Sequence, residues 1–326
     1  MDHVPYLFVD SVVGAFHTLP ESIPAFSNLQ WENVFREHSE KRTVFMFYVG
    51  MTESGFHCLF RFATETTRAL TFQQIQALDR RFVRLRDVEV GQGDWSSENF
   101  SVTSKKFSEL ELETLVLKYA IAQFLRPGQN FGMGPCPGFN DKILTAFHKQ
   151  VYFSGLHLSY LGEHGEEFLL DQLKNSTTLR GIMLTGAWQQ PIFKNLMDFV
   201  RSKNQSVSVT LTDSDLNMDI ECLKELVADW NSRFVKAFLG IRTTITETEI
   251  CEVLPRDDKG RFMIYQPELK QGIEAFLLER QGVKSISLWI RNCICGTCSD
   301  YDPSYMYTQD DCYIHGDPDS DGSSNY

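Results

Sequence analysis

The densest group of chemically capable residues is Cys293-x-Cys295-x-x-Cys298, followed downstream by Cys312-x-x-His315. Thiolates and an imidazole at short spacings are the donor types of a tetrahedral zinc site, which makes Cys293, Cys295, Cys298 and Cys312 the candidate metal ligands. The first group is Cys-x-Cys-x-x-Cys rather than Cys-x-x-Cys, and the stretch between the two groups is short and rich in Asp. Free thiols at the end of a buried strand are the competing reading, and a redox pair is a third. A second stretch, residues 128–138, carries glycine at 128, 132, 134 and 138. A phosphate cradle needs free backbone N–H groups and, in the P-loop, a Gly-Lys-Ser/Thr ending. Here Pro135 and Pro137 remove donors and no such ending follows, so the stretch reads as a long connecting turn.

No arrangement announces covalent or acid–base catalysis. There is no Gly-x-Ser-x-Gly elbow, no His-Glu-x-x-His and no kinase signature. The eight histidines sit singly. Asp213-x-Asp215 and Glu247-x-Glu249 read as solvated loop acids. No cofactor is implied, and the chain reads as one that binds rather than converts. Net charge is −12, which argues against a nucleic-acid partner, because phosphate backbones are met by Lys and Arg. Residues 1–16 lack a basic leader and carry Asp2 and Asp10, and no apolar run reaches about 18 residues, so neither a signal peptide nor a membrane span is expected. The expectation is an intracellular protein, cytoplasmic or nuclear, with Cys58, Cys136, Cys222 and Cys251 as small core residues.

The elements that would position a binding surface repeat at a nearly fixed period. Strands centre on Leu156, Ile182, Val209 and Phe238, and helices are expected between them over 166–174, 191–203 and 219–232. One strand and one helix per unit is the arrangement of a βα solenoid. Alternation within each strand sends one side chain inward and the next to an open face. That face would carry Ser154, His157, Ser159, Met183, Thr185, Ser208, Thr210 and Thr212, with Trp188 where the second strand leaves the sheet. His157, Thr185, Thr210 and Trp188 are therefore candidate partner-binding residues; for Trp188, packing against the next turn is an equal alternative.

Upstream, an apolar stripe of Leu7, Phe8, Val12, Val13 and Phe16 predicts a helix over 5–16, and Leu29, Trp31, Val34 and Phe35 a second. Strands are expected at 43–49 and 56–62 as a hairpin, a helix at 71–81, and a strand at 82–90 with a bulge at Arg86-Asp87. Helices are expected at 107–124 and 139–149. Beyond the repeats come a strand and acidic loop over 243–258, a helix at 267–280, a strand at 283–290 and an acidic disordered tail from about 300.

Two resemblances follow. The x-x-Leu-x-Leu strand cores at 153–158, 179–184 and 206–211 resemble the longer-period leucine-rich repeats, although the turn position holds Leu161, Ala187 or Ser214 instead of Asn or Cys. Val4-Pro5-x-Leu7 with Leu29-x-Trp31-x-x-Val34-Phe35 resembles a degenerate F-box of the nematode-expanded F-box-associated proteins. The expectation is an α/β chain: an irregular leucine-rich-repeat-like βα solenoid with an N-terminal helical cap or degenerate F-box, divided as 1–42, 43–299 and 300–326. The F-box resemblance implies a substrate-recognition adaptor of an SCF-type ubiquitin ligase whose Leu7, Phe8 and Trp31 would dock a Skp1-type adaptor. An α/β enzyme and a small zinc module are the alternatives.

Overall fold

The computed structural model describes residues 5–16, 19, 29–52, 55–65, 68–92, 106–124, 128–136, 138–203, 205–211, 213–232, 237–256, 262–266, 271–280 and 282–291. Cys293, Cys295, Cys298, Cys312, Thr212 and the tail from 300 lie outside these residues. The chain divides into two compact units, residues 1–199 with 208–216 and residues 200–207 with 217–326.

The first unit opens with α1 (Tyr6–Ala15) and α2 (Leu29–Lys41). Val9 and Val13 pack on Val34 and Phe35, with Leu19 and Trp31 against them. The buried stripe of α1 is thus Val9, Asp10 and Val13: of the expected stripe Val13 is buried and Val12 half-buried, whereas Leu7, Phe8 and Phe16 are exposed. Asp10 decides the face: its carboxylate can be buried because His38 of α2 meets it at 3.0 Å.

The expected hairpin forms from β1 (Thr43–Thr52) and β2 (Gly55–Phe62), but its loop is tighter than 50–55, since Thr52 pairs with Gly55. β3 (Ala69–Thr71) leads into α3 (Phe72–Gln76), a short helix opened by a Thr71/Gln74 capping box, so the helix expected to run to 81 ends early. β4 (Val83–Gln92) lies parallel to β1, and the register slips between Phe45↔Leu85 and Phe47↔Val88. The bulge read at Arg86-Asp87 is there. β5 (Lys106–Phe107) precedes a continuous helix made of α4 (Glu109–Glu111), a π-helical turn (Leu112–Leu117) and α5 (Lys118–Gln123).

Residues 128–133, expected as a turn, form β6 (Gly128–Met133), paired in parallel with β4 and with β7 (Phe153–Ser159). Ladder partners on both sides satisfy the backbone where the glycines gave no strand propensity. α6 (Asn140–Phe147), α7 (Glu163–Asn175), β8 (Gly181–Thr185), α8 (Pro191–Ser202) and β9 (Val207–Leu211) follow the expected alternation. The division between units falls within α8.

The sheet of this unit runs β9-β8-β7-β6-β4-β1-β2-β3, with β5 on β2. It is open, large and mostly parallel: β1, β4, β6, β7, β8 and β9 share one direction. Leu156, Ile182 and Val209 pair in one register row, as the period demanded. They and Leu158, Leu184 and Leu211 are buried. Beside them Phe124, Phe131, Phe147, Phe153 and Phe168 join ring to ring at 5.1–6.2 Å, a tilted and edge-on aromatic core.

The second unit holds β10 (Asn217–Met218), α9 (Ile220–Ser232), β11 (Ala237–Thr243), α10 (Glu247–Val253), β12 (Phe262–Gln266), β13 (Gln271–Arg280) and β14 (Val283–Arg291). Its strands run β12-β13-β14-β11 antiparallel, with β10 parallel to β11. Two expectations are corrected here. Residues 247–253 are a helix, and Glu249 belongs to its Thr246 capping box instead of being a free loop acid. Residues 271–280 are a strand. Ile273, Ala275 and Leu277 point one way along it at period two, and Arg280 pairs with Val283 across a two-residue turn ending in Gly282 at φ +77.

Candidate functional site

The first candidate surface is the outer side of α1, and its rigidity comes from behind. A helix ends with carbonyls that have no partner of their own. Here Arg42 donates to Val13 O and Phe16 O, both at 2.7 Å, and Arg84 donates from Nε and Nη2 to Gly14 O at 3.1 and 3.0 Å. Two guanidinium groups against the negative end of the helix dipole are favourable in sign as well as in geometry. Burial pulls both arginines down, Arg42 to about 10, which leaves it charged.

His38, fully buried, lies edge-on to Phe82 with ring centroids 5.1 Å apart. Its Nε2 faces Asp10 Oδ1 at 3.0 Å and its Nδ1 faces Arg42 Nη2 at 3.3 Å. Guanidinium can only donate, so Nδ1 is the acceptor and the proton sits on Nε2. The ring is neutral, in keeping with burial lowering its pKa against the opposing pull of Asp10. At the helix's start the Tyr6 hydroxyl donates to Glu37 at 2.5 Å, and that bond, followed by Lys41, holds Glu37 at about 2.

With α1 clamped, Leu7 is 73% exposed and Phe8 55% exposed, and Tyr6, Phe16 and Leu29 are also exposed. Trp31 does not join them: it is half-buried against the core of the helix pair.

The second candidate surface is the outward face of the parallel strands. Register places Tyr48, Glu89, Gly132, His157, Met183 and Thr210 in one row across β1, β4, β6, β7, β8 and β9. His157 and Met183 are exposed; Ser159, Thr185, Ser208 and Thr210 are half-buried and on this side, whereas Ser154, also half-buried, shares the alternation of Leu156 and Leu158 and its hydroxyl donates to Gln129 O. The Ser159 and Thr185 hydroxyls bond at 3.0 Å. Trp188 is buried: its indole donates to Thr185 O at 3.0 Å and its ring meets Tyr160 edge-on at 5.5 Å, so it packs under the turn instead of standing out as an anchor.

Sequence reading passed over the most unusual group of this face. A Cβ on Gly132 would overlap the Glu89 carboxylate, so Glu89 lies flat across β6. Burial raises its pKa, the nearby Asp87 adds to this and Arg61 opposes it. Glu89 has no hydrogen-bond or ion-pair partner among the described residues. Asp87, buried, accepts from the Asn130 backbone and side-chain amides at 3.0 and 3.1 Å and from Arg86 at 2.8 Å. Arg61 stacks 4.7 Å over the Tyr48 ring. The available signal was the alternation Val88, Glu89, Val90, which puts Glu89 outside; the glycine beneath it is supplied by register alone.

Among the described residues no group of three or more His, Cys, Asp or Glu could hold a metal ion. The proposed ligands Cys293, Cys295, Cys298 and Cys312 lie outside those residues. Cys58, Cys136, Cys222 and Cys251 are free thiols, and burial pushes Cys136 to about 11 and Cys222 to about 12. No described helix is long and apolar enough to cross a membrane. No known protein family, curated protein or solved structure matches this chain.

Proposed function

We propose that this chain is a non-enzymatic protein-binding adaptor, with a leucine-rich-repeat-like βα solenoid behind a degenerate F-box, that docks one protein through α1 and selects another through its open sheet. One observation carries the reading. Leu7 and Phe8 are turned to solvent on a helix that Arg42, Arg84 and the Asp10–His38 pair hold rigidly to its support. A marginally stable chain gains nothing in folding from a large apolar side chain left wet, whereas pre-ordered apolar anchors cost little to bury on a partner. The sequential order of β6, β7, β8 and β9 supports the solenoid, and the polar side chains of that face supply the second surface. By the F-box resemblance, the partner of α1 is a Skp1-type adaptor and the assembly an SCF-type ubiquitin ligase.

The test is calorimetric titration of the full chain with a Skp1-type adaptor. Saturable binding that falls roughly tenfold or more in Leu7→Ala/Phe8→Ala is expected, since paired hot-spot truncations commonly cost upwards of about 1 kcal/mol each. No heat with wild-type protein, or affinity unchanged in the double variant, rejects the adaptor reading.

A further inference from the structure

Away from both surfaces, an open hollow of about 270 Å³, lined mostly by exposed side chains, lies between α3 and the helix that contains the π-helical turn. Its walls combine Gln76 and Arg80 on one side with Thr114, Leu115, Lys118 and Tyr119 on the other. Three features converge on it. First, the chain carries a net charge of −12, yet two cations and no carboxylate among the described residues line this space. Neither Arg80 nor Lys118 has an ion-pair partner among the described residues, whereas the neighbouring Arg81 pairs with Asp79 at 3.2 Å and Glu37 at 3.4 Å.

Second, Arg80 is held in readiness. Its guanidinium lies 5.2 Å over the Tyr119 ring, and the Tyr119 hydroxyl donates to Ile75 O at 3.2 Å. Its own carbonyl accepts from Arg84 at 3.3 Å, and the Gln123 amide, turned so that its nitrogen faces that carbonyl, donates to it at 3.0 Å, which anchors the backbone beneath the side chain. A cation ordered in advance loses less freedom when a ligand arrives. Third, the wall is where the helix departs from α geometry. A π-turn costs intrahelical hydrogen-bond quality and recurs at functional sites. This one spans 112–117, and among its outward residues Thr114 and Leu115 reach the hollow, Leu115 remaining 52% exposed.

We infer that this hollow binds a small organic phosphate. Arg80 and Lys118 meet the phosphate charge, the Gln76 amide supplies a neutral donor, and Leu115 covers the organic part. Arginine's planar fork suits phosphate oxygens, and lysine adds a mobile point charge. The hollow is small and open, so the organic part is limited to about one ring resting on Leu115. The site shares no residue with α1 or the open sheet, so its failure would leave the adaptor reading untouched.

The experiment is isothermal titration of the full chain with phenyl phosphate, with inorganic phosphate and phenol as separate arms. Phenyl phosphate binds saturably and more tightly than either part alone, and raising NaCl from 50 to 300 mM weakens it, since charge-based contacts are screened. Lys118→Gln and Arg80→Gln each weaken it roughly tenfold or more, the scale of a lost charge-assisted bond. Among the described residues Lys118 makes no side-chain hydrogen bond or ion pair, so Lys118→Gln stays informative even if Arg80→Gln disturbs the stack; circular dichroism confirms both are folded. Absence of saturable heat with phenyl phosphate, or binding unchanged in folded Lys118→Gln, overturns the assignment. Equal binding of inorganic phosphate overturns the role given to Leu115.

Discussion

The neutrality of His38 makes a definite claim about acid. In the folded chain its Nδ1 accepts from Arg42 and its Nε2–H donates to Asp10, so a second proton would have to sit between Nδ1 and a guanidinium. Burial lowers its pKa, whereas in the unfolded chain it titrates near its ordinary value of about 6.5. Between the folded pKa and about 6.5 the unfolded state therefore binds more protons, and stability falls as pH falls. One group contributes a slope of at most about 1.4 kcal/mol per pH unit. Burial also lowers His57, which adds to the same window, so wild-type data alone do not isolate His38. His38→Gln does: its amide can donate to Asp10 and accept from Arg42 but does not titrate. Urea unfolding of both proteins at pH 7.5 and 5.5 should show wild type losing more than the variant, by up to about 1.4 kcal/mol per unit of pH actually spanned below 6.5. Equal losses would refute the neutral-ring assignment, and a greater loss in the variant would reverse its sign.

Other outcomes follow from the same geometry. Leu7→Ala should change stability by less than about 0.5 kcal/mol, whereas Val13→Ala, on the buried side of the same helix, should cost about 2 kcal/mol; chemical denaturation of the two tests that Val13 and not Leu7 of the expected stripe faces the core. Gly186→Ala should cost about 1–2 kcal/mol, because φ is +90 there and the new methyl would sit 3.3 Å from Tyr160 Cβ; a neutral thermal shift would contradict the turn. Peptide mapping after a brief iodoacetamide pulse at pH 8 should find Cys251 modified ahead of Cys58, Cys136 and Cys222, since of these four described cysteines Cys251 alone is exposed and burial raises the other three thiols.

Much of the parallel sheet was legible because each strand announces itself by period. Leu156, Ile182 and Val209 sit one unit apart in sequence and side by side in space. The Arg86-Asp87 slip was readable for a similar reason: alternation on either side is clean, so the extra residue has nowhere to go but a bulge. β6 was not legible. Its glycines and the prolines after it carry turn chemistry, and what makes it a strand is the pair of ladders offered by β4 and β7. β13 misled through its apolar spacing, since Ile273, Phe276 and Leu277 fit a helical stripe while Ile273, Ala275 and Leu277 fit a strand. Gln281-Gly282, between two apolar runs, was the cue that favoured the hairpin. Of the site, the outward residues of the strands could be read from alternation. Asp10 with His38 and Glu89 over Gly132 could not, because each is a pairing of distant positions that only the folded register creates.

The order of the parallel strands also has a bearing on synthesis. Phe131 pairs with Leu156, Leu156 with Ile182 and Ile182 with Val209, so every new strand in this run finds its partner about 25 residues behind it. A ribosome releases the chain from its N-terminus, and each strand therefore emerges onto an edge that is already complete. Closing each loop costs nearly the same entropy as the one before, because that cost grows only as the logarithm of loop length. The sheet can thus lengthen one strand at a time during translation, with its growing edge always the most recently made segment.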